Sequence, residues 1–260
     1  MTDTEFILVK KRLRTLLGID LESYKSPQMR RRLDGYLERV HASSWAEFLR
    51  RLDKDPQAVR QLRDYLAINV TCFFRDRPKW EELRTQVLPL IRRRGQVLRA
   101  WSAACSIGAE PFSLAILFQE DPLIWRYQVL GTDIDRDALE RARAGGPYTA
   151  DEVREVDPPL LARYFKRAED GYWVQNPLRQ RVEFAERDLL RSMARDEFDL
   201  IVCRNVLIYF TEEAKAQVIH NLTQALKPGG VLFIGATESI PSGRVVGLER
   251  LSLSFYRRVA

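Results

Sequence analysis

Four short runs in the 260-residue sequence set chemistry-bearing side chains among small and apolar ones. In Asn69-Val70-Thr71-Cys72-Phe73-Phe74-Arg75-Asp76, an amide, a hydroxyl and a guanidinium alternate with bulky apolar residues, so one face can present converging polar groups while the other anchors. In Ala104-Cys105-Ser106-Ile107-Gly108-Ala109-Glu110-Pro111 an apolar run turns into a helix. Gly108 there permits close approach of a ligand to the backbone, and the helix start offers amide donors. Glu110 would repel phosphate and suit a cationic or hydroxyl-bearing ligand, and no G-x-G-x-x-G pyrophosphate cradle is present. In Gly131-Thr132-Asp133-Ile134-Asp135, Asp133 at a strand end can accept both ribose hydroxyls of a nucleoside, while Asp135 is placed to cap the next helix. In Cys203-Arg204-Asn205-Val206-Leu207-Ile208-Tyr209-Phe210, Asn205 can bond an amino or carboxylate group and Tyr209 supplies a phenol. Each has a plainer role open to it: first-turn acid for Glu110, turn residue for Asp133, buried cap for Asn205, surface pair for Arg75 with Asp76.

The elements that must position these runs are legible from periodicity. Phe6, Val9, Leu13, Leu16 and Leu17 recur at helical spacing before Gly18, and Met29, Leu33, Tyr36, Leu37 and Val40 follow a Ser26-Pro27 start. Ser44 with Glu47 reads as a capping box, and Asp55-Pro56 opens a further helix through Val59, Leu62, Leu66 and Ile68. A helical domain is expected over 1–76, then a connecting helix over 77–95 that carries Trp80, Leu83, Val87, Leu88 and Ile91 from about Pro78 to Arg94. From 96 to 260 the period changes. Buried-strand candidates at 97–103, 128–134, 198–204 and 231–237 alternate with helices, the α/β pattern of a parallel sheet. The runs YWVQ and RVEF around Asn176-Pro177 suggest a small antiparallel insertion at about 171–184, and 251–259 suits a terminal edge strand.

Composition narrows the class. With 45% hydrophobic residues and 13 Gly the chain is neither disordered nor collagenous, and it can bury a core without staples. Cys72, Cys105 and Cys203 lie far apart without disulfide or metal-ligand spacing, and no metal site is expected. No run approaches a membrane span and no secretory leader is evident, so a cytoplasmic protein without membrane insertion is expected. The net charge of +6 is uneven: residues 1–94 hold 21 Lys and Arg against 13 Asp and Glu, while 95–260 hold 21 against 23. A basic first third suggests an acidic partner, or simply solvated helix faces. Only His41 and His220 are present, which disfavours imidazole chemistry.

Taken in order, INVTCFFRD, WSAACSIGAEPFSLA, GTDID, CRNVLIYF and LKPGGVLFIGATES resemble the chemotaxis receptor methyltransferase family, CheR, over nearly the whole chain. The resemblance implies an N-terminal all-helical domain and a Rossmann-like domain that binds S-adenosylmethionine, with a small antiparallel β insertion. It further implies methylation of glutamate side chains on chemoreceptor helices. By the same resemblance Glu110 and Asp133 match the cofactor-binding acids, and Asn205 and Val206 the strand-end contacts. Asn69, Thr71 and Arg75 match the polar positions that close over the methionine end, with Asp188-Leu189 on the adenine side. Many relatives carry Asn at the position of Asp188, and Ala109 replaces a frequent second acid.

The implied reaction is in-line transfer of a methyl from a sulfonium to a carboxylate oxygen. A glutamate with an ordinary pKa of about 4.3 is ionised at neutral pH, so no general base is needed. Catalysis then rests on alignment, with the acceptor held about 3 to 3.5 Å from the methyl carbon. Arg75 is expected to orient that carboxylate and Tyr209 to be a second donor. The helix opening at Pro27 carries Arg30, Arg31, Arg32 and Arg39 and could lie along acidic receptor helices. Some family members clamp a receptor's C-terminal peptide on the β insertion; the insertion here is shorter, so no such tether is expected. A nucleic-acid methyltransferase is the first alternative, disfavoured because RNVLIYF lacks the Asn/Asp-Pro-Pro-aromatic run; a non-catalytic cofactor-binding signalling module is the second.

Overall fold

The computed structural model describes residues 2–17, 21–66, 71–93, 95–191, 195–240 and 247–259. The chain divides into two units: Met1–Ile68 with Tyr209–Lys215, and Asn69–Ile208 with Ala216–Ala260.

In the first unit, α1 (Asp3–Leu17), α2 (Ser26–Arg39), α3 (Trp45–Leu52) and α4 (Pro56–Leu66) bury the stripes that periodicity marked. Phe6, Val9, Leu13 and Leu17 of α1 meet Leu33 and Tyr36 of α2, Phe48 and Leu52 of α3, and Leu62 of α4 in one small core. The Ser44 hydroxyl accepts the Glu47 N–H at 3.2 Å. The return arm of the box falls one residue early, since Glu47 takes the Ser43 N–H rather than that of Ser44. The later segment joins this unit through Lys25 N–H donating to the Tyr209 carbonyl at 2.9 Å, Thr211 N–H to Ser23 at 2.8 Å, and Tyr24 against Phe210.

The second unit begins with the expected connector, but not as one α-helix. It runs as α5 (Arg77–Glu82), a π-helical turn (Leu83–Val87) and α6 (Leu88–Ile91). Pro89 has no N–H to give the turn before it, and the wider π turn absorbs that break while Trp80, Leu83, Val87, Leu88 and Ile91 stay buried on one side. The α/β body then follows: β1 (Leu98–Ala103), α7 (Ala109–Glu120), β2 (Tyr127–Asp133), α8 (Arg136–Ala144), α9 (Ala150–Val153), α10 (Pro158–Tyr164), β3 (Phe165–Ala168), β4 (Gly171–Val174), α11 (Asn176–Arg179), β5 (Val182–Glu186), β6 (Phe198–Cys203), α12 (Glu212–Ala225), β7 (Leu226–Ile234), β8 (Leu248–Arg250) and β9 (Phe255–Arg258).

The large sheet has the order β5-β2-β1-β6-β7-β9-β8. Strands β5, β2, β1, β6 and β7 are parallel, with β9 antiparallel to β7 and β8 to β9. This is a Rossmann-like sheet, and its order reverses between β1 and β6, which opens a crevice beyond the carboxyl ends of those strands. Strands covered on both faces need continuous apolar sequence, as in Leu200-Ile201-Val202-Cys203, all fully buried. Helix α7 is buried from Ala109 to Phe118 apart from Glu110, and so shows no amphipathic stripe.

Two strand expectations change. The small antiparallel pair is β3 with β4, whereas Val182–Glu186 joins the large sheet as the parallel edge beside β2. Phe184 explains the switch: its ring packs on Phe112 at 5.5 Å and covers Gly131, where a Cβ would come within 2.8 Å of it. Strand β3 escaped notice because FKRA buries only its Phe165. At the C-terminus, 251–259 is not one edge strand. Residues 251–254 form the turn between β8 and β9, and β8 takes the edge. Among the described residues, no helix is long and apolar enough to cross a membrane.

One buried contact ties the body of this unit to the turn after β1. The Tyr148 hydroxyl donates to the Ile107 carbonyl at 2.8 Å, and burial pushes that phenol's pKa up. Pro111 has no N–H to give that carbonyl, so Tyr148 supplies the donor the helix lacks. Tyr148→Phe should lower stability by about 1 to 3 kcal/mol in denaturant titration, because a buried acceptor loses its partner; an unchanged midpoint would contradict this role.

Candidate functional site

Three turns converge on one residue, Asp133, at the end of β2. Asp133 Oδ2 accepts the Ser106 N–H at 2.7 Å and Oδ1 the Asp135 N–H at 2.9 Å. Its carbonyl accepts the Arg187 N–H at 2.9 Å, which ties in the turn that carries Asp188 and Leu189. Desolvation raises the Asp133 pKa, and those backbone N–H groups oppose the rise. Asp135 does what its position suggests, accepting the Asp137 and Ala138 N–H groups at the start of α8.

The turn between β1 and α7 is strained. Ala104, Ser106 and Gly108 have φ of 62°, 48° and 88°. Glycine at 108 is also demanded by packing, since a Cβ there would lie 2.8 Å from the Ala142 Cβ and 3.2 Å from the Phe184 ring. Thus the close approach that Gly108 permits includes one from helix α8. Phe74, Asp76 and Asn205 are left-handed too, at 51°, 62° and 59°. Among the described residues, five of the seven non-glycine residues with positive φ belong to the singled-out runs, the concentration of strain expected where a fold builds a binding site.

A buried guanidinium joins these loops. Arg204, its side chain 2% exposed, reaches Asp76 at 2.5 Å and Glu110 at 3.6 Å. It lies 4.7 Å over the Phe233 ring and 6.0 Å from the Trp80 ring, and those two rings pack edge-on against each other. Glu110 also accepts the Ser102 hydroxyl at 2.7 Å, so the chain Asp76, Arg204, Glu110, Ser102 spans the strand ends. Desolvation raises the Glu110 pKa, and Arg204 opposes it. The 71–76 segment is held from two other sides, by Phe73 N–H donating to the Glu152 carbonyl at 2.8 Å and Phe74 N–H to the Ser113 hydroxyl at 3.0 Å.

The second unit therefore holds Gly108, Glu110, Asp133, Asp188, Leu189, Asn205 and Val206 just beyond the carboxyl ends of β1, β2, β5 and β6, and carries Arg75 and half-buried Thr71 on the anchored segment before α5. Asp188 spends one carboxylate oxygen on its own turn, accepting the Leu190 N–H at 2.9 Å. Asn69 lies outside the described residues. Tyr209 belongs to the first unit, where its carbonyl is bound by Lys25. Sequence reasoning passed over Arg204, although a cation set directly after an apolar strand is a signal that it must be paired inside.

The donor set fits a cationic nucleoside cofactor. Glu110 and Asp133 are acceptors only when ionised; Asp133 at the end of β2 suits hydroxyl donors and Glu110 an ammonium. Burial, with Asp133 and Glu110 alongside, pushes the Cys105 pKa well up, and burial does the same to Cys203 and raises that of Cys72, which disfavours the thiolate at all three. Among the described residues no cluster of His, Cys, Asp and Glu could hold a metal ion. A depression of about 480 Å³ at the opposite, amino ends of β1, β2 and β6 is lined by exposed side chains such as Arg126, Gln128 and Glu183, without the strained loops and buried charges found at the carboxyl ends.

Comparison with known proteins agrees with this geometry. Residues 69–251 match the family model described as CheR methyltransferase, SAM binding domain, and residues 4–67 match CheR methyltransferase, all-alpha domain. A chemotaxis protein methyltransferase of Listeria innocua is 39% identical over 242 residues, 92% of this chain and 92% of that one. Chemotaxis protein methyltransferase 1 of Pseudomonas aeruginosa is 37% identical over 249 residues, 92% of this chain and 91% of that one. A chemotaxis protein methyltransferase of Vibrio parahaemolyticus is 32% identical over 251 residues, 92% of this chain and 90% of that one.

Arg204→Gln tests the buried pair. It leaves Glu110 uncompensated, so the Glu110 pKa rises further and the folded state holds a proton that the unfolded state releases near the ordinary value of 4.5. Stability of the variant should then fall as pH rises through that window, with a deficit against wild type of about 3 kcal/mol or more at neutral pH and a smaller one near pH 5. Melting curves between pH 5 and pH 8 measure it; a deficit independent of pH would contradict the pairing.

Proposed function

Because the chain belongs to the CheR methyltransferase family, and is an S-adenosylmethionine-dependent methyltransferase of chemotaxis, we propose that it methylates glutamate side chains of chemoreceptors, forming glutamate methyl esters. The observation that carries this reading is the site's charge pattern: buried acids at the strand ends, a guanidinium on the adjoining anchored segment, and no histidine among them. S-adenosylmethionine supplies, when bound, an electrophilic methyl group on a sulfonium.

Every other task falls to the chain. Asp133 would accept the ribose hydroxyls, and its bonds to the Ser106 and Asp135 N–H groups fix its orientation beforehand. Glu110 would accept the ammonium, held in place by Ser102 and Arg204. Asn205 and Val206 line the end of β6, Leu189 with the backbone at Asp188 the adenine side, and Asn69, Thr71 and Gly108 complete the set. Arg75 would orient the incoming carboxylate by charge-assisted hydrogen bonds. Its segment is anchored at Phe73, Phe74 and Asp76, so that guanidinium is presented at little entropic cost. A receptor glutamate is ionised at neutral pH, and the absence of a histidine from these loops is what such a nucleophile permits.

The partner surface we assign to α2 is narrower than its four arginines. Arg30 pairs with Asp3 at 2.6 Å and covers the Phe6 ring. Arg32 is half-buried and donates to the Tyr65 carbonyl, and desolvation lowers its pKa. Arg31 and Arg39 are exposed, Arg39 with its guanidinium 5.7 Å over the Tyr65 ring, and these two are the ones we assign to an acidic receptor helix. A receptor-peptide tether remains unexpected. The outer edge of β4 is taken by Tyr148, bonded both ways to Tyr172, and by Gly145, which accepts the Val174 N–H at 2.8 Å.

Labelled S-adenosylmethionine with receptor cytoplasmic fragments tests the reading. Base-labile label should appear on receptor and fall by about 100-fold or more in Arg75→Ala. In Arg31→Glu with Arg39→Glu, receptor KM should rise and its salt dependence flatten while kcat holds within about twofold. Label on nucleic acid, or none on receptor, would overturn the assignment.

A further inference from the structure

Glu238 lies beyond the end of β7, 5% exposed, in a segment to which no ligand role falls. Its carboxylate gathers three backbone donors from two neighbouring strand ends. Oε2 accepts the Gly235 N–H at 2.7 Å and the Asn205 N–H at 2.9 Å, and Oε1 the Leu207 N–H at 2.8 Å. The Glu238 N–H returns to the Gly235 carbonyl at 3.0 Å, which closes a tight turn around the group. Strand register puts Cys203 opposite Ile234, so the turns after β6 and β7 start side by side and share this one acceptor.

We propose that Glu238 is the positioning residue of the cofactor site, holding Asn205 in its left-handed conformation by binding the N–H groups on both sides of Val206. This rests on the reading of Asn205 as a cofactor contact. At φ of 59° Asn205 sits in the left-handed region, which asparagine tolerates better than other side chains but does not prefer, and the N–H groups of residues 205 and 207 are both fixed by the two oxygens of one carboxylate. Gly235 shows how close the fit is. A Cβ there would lie 2.7 Å from Glu238 Oε2, 3.1 Å from the Asn205 nitrogen and 3.2 Å from Asn205 Nδ2, so the Asn205 amide itself sits against the glycine that makes room for the carboxylate. A carboxamide cannot replace the group, because its NH2 would face N–H donors.

A double-mutant cycle on S-adenosylhomocysteine binding tests the proposal, read by calorimetry on variants whose melting curves show a folded protein. Glu238→Gln and Asn205→Ala should each weaken binding roughly tenfold or more, and the double variant should be no weaker than about twofold beyond the worse single, because the two act as one unit. In turnover, Glu238→Gln should raise the cofactor KM while kcat at saturation stays within about threefold. Should Glu238→Gln not fold, Gly235→Ala takes its place in the cycle with the same expectation. Wild-type affinity in the residue 238 or 235 variant, or losses that multiply in the double, would overturn the proposal while Asn205→Ala still binds weakly. Wild-type affinity in Asn205→Ala would instead remove Asn205 from the site, and the proposal with it.

Discussion

The site depends on one buried positive charge. A guanidinium taken out of water is costly unless carboxylates meet it, and Arg204 answers that requirement by drawing Asp76 and Glu110 toward itself from different parts of the chain. Asp76 follows Arg75 directly, and Glu110 opens α7, so satisfying this single group sets the spacing between an anchored loop and a helix start. The aromatic faces of Phe233 and Trp80 confine it further. Asp133 acts in the same way with backbone donors, gathering the turns after β1 and β5 onto the end of β2. Buried polar groups of this kind leave few alternative arrangements, because every displacement strands a charge or an N–H.

How much was legible in the sequence follows from what each residue interacts with. Helices α1 to α4 show in the sequence because their apolar stripes recur locally, and β1, β2, β6 and β7 because strands buried on both faces cannot tolerate polar residues. The loop residues were legible through residue type against context: an acid or amide at the end of an apolar strand has few structural reasons to be there. Strand β5 was placed in the wrong sheet because its partner β2 is about fifty residues away, and a short apolar run carries no record of which neighbour it joins. The π turn at Leu83–Val87 was missed because the apolar spacing stays helical through it. Arg204 and Glu238 went unassigned for a related reason: their roles exist only through partners 94 or more residues away for Arg204 and about thirty away for Glu238.

The scarcity of histidine ties composition to mechanism. A methyl acceptor that is already an anion asks the enzyme for position and field rather than for a proton acceptor. The structure supplies position through anchored, strained loops, and field through buried acids at the strand ends that suit a cation. Burial disfavours the thiolate of Cys105 and Cys203, and neither enters that scheme.

The pH dependence of kcat/KM for receptor methylation tests the central claim, that the acceptor is a pre-ionised carboxylate aligned without a general base. The account predicts a flat profile from about pH 6.5 to about pH 8.5, with loss only on the acid side as carboxylates take up protons. A rate that climbs through an apparent pKa near neutrality, with unit slope below it, would reveal a base in the reaction and contradict the account.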